Sequence, residues 1–391
     1  MRFQSYFNTA ILLIRQYDGS VPLVHFLKQH FAKYKKHGSK DRKQITHLCY
    51  CYFRLGHALP KLAIEERLKI ALFLCNSSAS DWQLLFDEIW IEQWSTELDK
   101  RIHFIQSLYP AFSVNTIFPW HTELSEGINP GEFAISHLIQ PDLFLRIRPG
   151  HEKPVLKKIG DAQIQFKQLT NHCLALPNAS KIDTLLDIDK EAVIQDYNSQ
   201  RIANFFPLIN TDSIASPISF WDCCAASGGK SILAYDHFPK IELTVSDIRP
   251  NILNNLSKRF EIAGIKKYKS FLSDLSQFPI PNSQFQFILC DAPCSGSGTW
   301  SRTPEQLYFF SEEKIKVYAD LQKKILRNVI PKLVLDGYLL YITCSVFKKE
   351  NEEAIHMMEE TFSLQLVKSE LLKGYSTKAD SMFVALFIKS N

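Results

Sequence analysis

The sequence predicts a mostly parallel, doubly wound α/β domain over residues 201–391, behind a small α/β module at 116–200 and an all-helical domain at 1–115. Three observations predict it. From about residue 201 onward, short apolar runs alternate with segments of helical periodicity. Residues 1–115 instead carry apolar side chains at three and four spacings, helix after helix. Two cysteines, Cys294 and Cys344, each follow a strand-like run (Phe285–Cys290 and Tyr338–Ile342), where a strand gives way to a loop. Loops at the carboxyl ends of strands are where open α/β sheets place their chemistry.

The helical periods fall in Phe7–Leu13, Leu23–Phe31, Ile45–Leu59 and Lys61–Leu74. Ile45–Leu59 is apolar nearly all round and reads as a central helix, started by Ser39 or Asp41 as cap. His47, Cys49 and Cys51 then belong to its packing face. Over 116–200, Pro119, Pro130-Gly131, Pro141, Pro149-Gly150 and Pro177 punctuate short runs, and Leu143–Ile147, Ala162–Phe166 and Cys173–Leu176 read as strands. In the last domain, strands are expected at Ser219–Asp222, Glu242–Ser246, Tyr268–Leu272, Phe285–Cys290, Tyr338–Ile342 and Met382–Ile388, the last as an antiparallel edge. Helices fill Lys230–Asp236, Pro250–Ala263, Ser311–Leu335 and Asn351–Glu360.

A chain of 391 residues exceeds what one core serves, and 46% hydrophobic with 22% charged residues is a globular composition. No stretch approaches the roughly 20 apolar residues that span a bilayer, and the short run Ala10–Ile14 lacks a small-residue cleavage site. A cytoplasmic monomer without membrane contact is expected. Nine scattered cysteines do not make a disulfide scaffold. The pairs Cys49/Cys51 and Cys223/Cys224 lack the repeated C-x-x-C of a zinc site, so no metal is expected. The formal charge is only +4, but Lys33, Lys35, Lys36, Lys40, Arg42 and Lys43 stand against the single acid Asp41, interleaved with Phe31 and Tyr34. That run suits a phosphate backbone; the plain alternative is a solvated helix end.

Gly228-Gly229 and Gly296-x-Gly298 lie at strand-to-loop junctions in a chain with only 14 glycines. Glycine lets a backbone approach a ligand closely. The spacing is neither that of a P-loop nor G-x-G-x-x-G, but it suits a nucleoside cofactor of the S-adenosylmethionine kind. Asp247 closes the second strand, where a carboxylate can accept from ribose hydroxyls. Asp274 closes the third, where it can receive an adenine amino group. A loop acid is often only a cap, but three in register, with Asp291, favour a ligand.

These stretches together resemble the Sun/RsmB-type RNA cytosine-5 methyltransferases. Asp222-Cys-Cys-Ala-Ala-Ser-Gly-Gly-Lys-Ser231 is similar to the family's cofactor loop Asp-x-Cys-Ala-Ala-Pro-Gly-Gly-Lys-Thr. Asp291-Ala-Pro-Cys-Ser-Gly-Ser-Gly298 and Thr343-Cys-Ser345 resemble its two cysteine motifs, and Glu350-Asn-Glu352 the acidic sequence after the second. Gln195-Asp-Tyr-Asn-Ser-Gln200 and Asp380-Ser-Met-Phe-Val-Ala385 resemble its opening and closing motifs. The similarity covers roughly residues 130 to 391. Asp41-Arg42 and Phe53-Arg54 more faintly resemble the NusB-like RNA-binding domain that precedes this catalytic part. Ser227 stands where the family has proline and Ser381 where it has glycine. Loss of proline removes a fixed φ from the cofactor loop.

The resemblance implies S-adenosyl-L-methionine as cofactor, held by Cys224, Ala225, Ala226, Ser227, Gly228, Gly229, Lys230, Asp247, Asp274 and Asp291. It implies methylation of cytosine carbon 5 in RNA, ribosomal RNA first, with the middle module RNA-recognition-like. It assigns Cys344 to attack at carbon 6, Cys294 to product release and Asp291 to the ring at N3. Lys230 serves either the methionyl carboxylate or Asp291, and the sequence does not choose. Trp300, Arg302, Arg146 and Arg148 are candidates for stacking on RNA or for phosphate contact. The rival readings are a transfer RNA methyltransferase, a DNA cytosine-5 methyltransferase using Cys294, and a non-catalytic RNA-binding assembly factor.

Overall fold

The computed structural model describes residues 2–79, 82–210, 216–277 and 282–390. The chain forms two compact units, one of residues 1–122, 128–140 and 299–311, the other of 123–127, 141–298 and 312–391.

The first unit is helical: Arg2–Gln16, Leu23–Lys33, Ser39–Arg54, Ile64–Cys75 and Leu98–Leu108 are its longer helices. Ser39–Arg54 is central, with Leu48, Cys49, Cys51 and Phe53 all buried. Its amino-terminal cap is Gly38, not Ser39; Asp41 three residues on accepts from the Gly38 N–H at 2.9 Å. Buried arginines bind carbonyls left open at the ends of helices. Arg54 donates to His137 O and Ile139 O at 2.8 and 3.1 Å. The return segment 299–311 adds the helix Pro304–Phe309 to this unit. It also carries Trp300, which is fully buried beside the rings of Phe118, Trp120 and Phe310. Trp300 is a core residue and offers no face to a base. Five basic side chains of the run after Phe31 (Lys33, Lys35, Lys36, Lys40 and Lys43) are solvent-exposed.

The second unit contains two sheets. The smaller joins β1 (Leu143–Ile147), β2 (Lys167–Thr170), β3 (Cys173–Leu176) and β4 (Ala192–Ile194) in the antiparallel order β2-β3-β1-β4. The run expected as a strand at Ala162–Phe166 is the turn after the helix Glu152–Asp161, whose apolar residues pack below the sheet. Arg146 and Arg148 both pair with the buried Asp236, at 2.6 and 2.7 Å, so neither guanidinium is available to a phosphate.

The larger sheet contains β5 (Ile218–Asp222), β6 (Ile241–Asp247), β7 (Tyr268–Leu272), β8 (Phe285–Asp291), β9 (Leu333–Thr343), β10 (Leu364–Leu372) and β11 (Met382–Lys389), ordered β10-β11-β9-β8-β5-β6-β7. β5 to β9 are parallel; β11 and β10 are antiparallel additions. The last strand is therefore internal, and β10 forms the edge. Its sequence Leu-Gln-Leu-Val-Lys-Ser-Glu-Leu-Leu breaks its apolar residues with Gln365 and with the polar stretch Lys368-Ser-Glu370, so it does not read as an apolar run. The central strands are apolar on both faces because both are covered. Phe287, Leu289, Leu340 and Ile342 pack to one side, and Ile288, Cys290, Leu339 and Tyr341 to the other. The helix expected over Ser311–Leu335 stops at Val329, and β9 begins at Leu333 after Pro331.

Asn198 ties the short helix Tyr197–Arg201 to the far end of this sheet. Its side-chain amide, fully buried, donates to Leu372 O at 3.0 Å and Asp380 O at 2.7 Å. Asn198→Ala leaves two buried carbonyls unpaired and is expected to lower stability by about 2–4 kcal/mol. Urea unfolding measures this directly; a change below ~0.5 kcal/mol would contradict the assigned role.

Candidate functional site

Strand order reverses at β5, which has β6 on one side and β8 on the other. A crevice opens at the carboxyl ends of strands around such a reversal. Here it is a cavity of about 490 Å³ lined by Cys224, Ala226, Asp247, Asp274, Asp291, Cys294 and Cys344, with an apolar side of Ile248, Leu275, Leu321 and Ile325. Seven of the residues singled out from the sequence thus share one cavity. Ala225, Ser227, Gly228, Gly229 and Lys230 form the turn behind it.

That turn is built by conformation. Ala226 and Gly228 both have positive φ, 45° and 83°. A Cβ on Gly228 would lie 2.7 Å from Phe260, so glycine is required there by both backbone and space. The rigidity that proline would have supplied at Ser227 comes from Arg259. Its Nη1 donates to Ser227 O and Oγ, each at 2.9 Å, while Asp189 holds the rest of the guanidinium at 2.7 and 2.9 Å. Neither Arg259 nor Asp189 was identified from the sequence, because their pairing is remote.

Asp247 accepts from Ala226 N at 3.1 Å and from Arg249 N and Nε, each at 2.9 Å. Burial works against its charge, but these donors outweigh it and hold the carboxyl below its ordinary value. Asp274 accepts from Ser276 and Gln277, so part of its role is to cap its own loop. Lys230 meets Asp291 at 2.6 Å, which settles its partner within the protein. Burial alone would lower the Lys230 ammonium; Asp291 and Cys344 together overcome it and raise it.

The two cysteine loops converge. Asp291 on β8 stands in register with Ile342 on β9, and Ala292 N donates to Ile342 O at 2.9 Å. Cys344 N then donates to the Cys294 sulfur at 3.3 Å. A hydrogen bond to Cys344, then burial, raises the Cys294 thiol, which therefore keeps its proton. Below both loops lies Glu350, fully buried, whose carboxylate accepts from Ser295 N at 2.9 Å, Ser345 Oγ at 2.6 Å and Gln322 Nε2 at 3.0 Å. Asn351 accepts from Thr343 Oγ1 at 2.6 Å and donates to Ser345 O at 3.0 Å. Gly298 closes the arrangement: its N–H donates to Cys344 O at 2.8 Å, and a Cβ there would strike Ser381 O.

The family described as 16S rRNA methyltransferase RsmB/F matches residues 216–386, the stretch that builds this cavity. Over that stretch the chain is similar to the Sun/RsmB methyltransferases. It is 28% identical over 263 residues to the ribosomal RNA small subunit methyltransferase B of Proteus mirabilis, covering 63% of this chain and 58% of that one. It is 27% identical over 227 residues to the probable counterpart of Bacillus subtilis, covering 56% and 49%. The chain thus spans about half the length of the curated relatives it matches. Among solved structures, PH0851 superposes with a TM-score of 0.70 at 19% identity, covering 98% of both chains. A methyltransferase homolog protein from Pyrococcus horikoshii superposes at 0.56 with 21% identity over 68% of this chain and 92% of the other. These likenesses establish the α/β methyltransferase fold. The family is one of RNA methyltransferases, and its cofactor is S-adenosylmethionine. An apolar wall, acids ending β6 and β7 and a volume within the range of ligand pockets fit that group. Among the described residues, no helix is long and apolar enough to cross a membrane.

Asp222 ends β5 below the loop, almost wholly buried, and accepts from Ser231 Oγ at 2.6 Å. Burial is the main cause that pushes its carboxyl up to about 7, with Ser231 opposing and Asp291 adding to the rise. Because the folded value lies above the unfolded one of about 4, Asp222 stabilises the fold fully below pH ~4, and that contribution is lost as pH rises through about 7. Denaturant unfolding between pH 5 and 8.5 should therefore show falling stability. Asp222→Asn should remove that component, and an identical slope in the variant would exclude this origin.

Proposed function

We propose that this chain transfers a methyl group to carbon 5 of a cytosine in RNA, ribosomal RNA in the first place, with Cys344 as nucleophile and Cys294 as the residue that releases product. The observation that carries this reading is the convergence of two thiols, Cys294 and Cys344, on one cavity that Asp291 also lines, with Lys230 against Asp291.

Carbon 5 of cytosine is a weak nucleophile. Addition of a thiolate at carbon 6 makes it an enamine carbon, and this splits one difficult step into two easier ones. The family resemblance assigns the attack to Cys344, and Cys294 lies beside it, its sulfur accepting from Cys344 N at 3.3 Å. Lys230 supplies positive charge to the same corner, since Cys344 is one of the groups that raise it. Asp291, which the family resemblance assigns to the ring N3, lies 2.6 Å from the Lys230 ammonium, a charge that supports this role. S-adenosylmethionine, when bound, supplies an electrophilic methyl group. After transfer, loss of the carbon 5 proton lets the Cys344–carbon 6 bond break, and Cys294 is the group beside that sulfur. The target base has to leave its stack to reach the cavity. The exposed lysines of the helical unit suit a phosphate backbone and support an RNA-binding role for it.

The roles make the two cysteine variants behave differently. Cys344→Ala should lose methyl transfer by about three orders of magnitude or more and form no adduct with RNA. Cys294→Ala should accumulate a covalent protein–RNA species on a denaturing gel. An adduct that persists in Cys344→Ala would make Cys294 the nucleophile, as in the DNA enzymes. Methyl incorporation into DNA but not RNA would overturn the substrate class.

A further inference from the structure

Three thiols that this reaction leaves idle meet in the wall of the same cavity. Cys223 and Cys290 are fully buried, Cys224 is half-buried, and their sulfur atoms all lie within 4.8 Å of one another. The meeting follows from strand register. Asp222 of β5 is paired with Leu289 of β8, and Cys223 N donates to Leu289 O at 3.0 Å. Cys223 and Cys290 therefore leave neighbouring strand ends side by side on one face. The chain turns out of β5 at this point, so Cys224 reaches the same place instead of pointing to the opposite face.

Buried cysteines are often just small apolar residues. Two features distinguish this group. Its three sulfurs come from two neighbouring strand ends and the adjoining loop and meet within 4.8 Å of one another. Cys223 and Cys224 both line the cavity, so the sulfurs can be reached from it.

We infer that Cys223, Cys224 and Cys290 form a binding site for a thiophilic d10 cation of the zinc(II) type, with its fourth position open toward the cofactor cavity. Thiolate sulfur prefers such ions, and zinc–sulfur bonds of about 2.3 Å place tetrahedral sulfurs roughly 3.8 Å apart. The present spread has to contract by at most about an ångström to reach that. A disulfide would draw two sulfurs to about 2 Å and leave the third unused. Ligation displaces the thiol protons, so affinity rises with pH. Three protein ligands and an open position are also the pattern of zinc sites that exchange their fourth ligand.

Cobalt(II) titration of the full-length, reduced and chelator-treated protein tests this. One equivalent should bind with sulfur-to-cobalt charge-transfer absorption, and zinc(II) should displace it. Cys223→Ala and Cys290→Val should each abolish the band while circular dichroism remains that of the folded chain. The double variant Cys294→Ala/Cys344→Ala should keep it. No thiolate band, or a band lost only in that double variant, overturns the site. If the two buried variants fail to fold, alkylation of Cys224 in the unaltered protein decides. One equivalent of zinc(II) should slow it at least ~tenfold, because the ligated thiolate is no longer a free nucleophile. Unchanged alkylation refutes the inference.

Discussion

A single buried carboxylate, that of Glu350, holds the two cysteine loops to one another. A buried charge without partners is strongly unfavourable, and Glu350 is tolerated because three donors converge on it. Two of those donors are Ser295 N and Ser345 Oγ, each one residue past a cysteine. Neither loop can shift without leaving the carboxylate short of a donor, so the separation of Cys294 and Cys344 is fixed from below. Tyr341 on β9 adds to this by donating to Glu350 O at 2.7 Å, which anchors the clamp to the sheet. The rest of the large sheet then has one task, to bring β8 and β9 side by side in parallel register.

Charge around the cavity is arranged on the same principle. Asp291, Asp222 and Glu350 are three acids near two or more thiols, and their mutual repulsion would oppose a thiolate. Lys230 changes the balance. Its ammonium lies 2.6 Å from Asp291 and brings positive charge against those acids, beside the corner that Cys344 occupies. Asp222 avoids the conflict differently, by a carboxyl held up to about 7, so that near neutrality it is partly uncharged. Asp247, with Arg249 and Ala226 as donors, and Asp274, with Ser276 and Gln277, are held below the ordinary carboxylate value, at the ends of β6 and β7.

The parts of this arrangement visible in the sequence were those with a local period or a local motif. β5 to β9 are apolar runs bounded by turn residues, and Gly228 and Gly298 mark places where a Cβ has no room. The motifs resembling the family located the cavity residues because each motif lies at one strand end. What stayed hidden was pairing over distance. Arg259 and Asp189, 70 residues apart, replace the stiffness of the missing proline at Ser227. β10 is recognisable only through its partner β11. Trp300, beside a motif and rich in surface for stacking, proved to be core because its neighbours Phe118 and Trp120 lie some 180 residues earlier.

The thiol cluster shows the same limit from the side of chemistry. Local spacing speaks against a metal, since Cys223-Cys224 has no C-x-x-C repeat. Parallel pairing of β5 and β8 supplies the third sulfur from 66 residues away. A sheet that gathers reactive strand ends for one purpose gathers every side chain at those ends, including those the reaction does not need. The fold keeps the two sets apart by face. Cys294 and Cys344 sit on loops clamped by Glu350, while Cys223 and Cys290 leave the strands toward the helix side with Ile325 and Ala354. Cys224 lies at the boundary, in the cofactor loop and within reach of the other two sulfurs. Through it, an ion held by the idle thiols and a cofactor held by the loop would act on the same stretch of backbone.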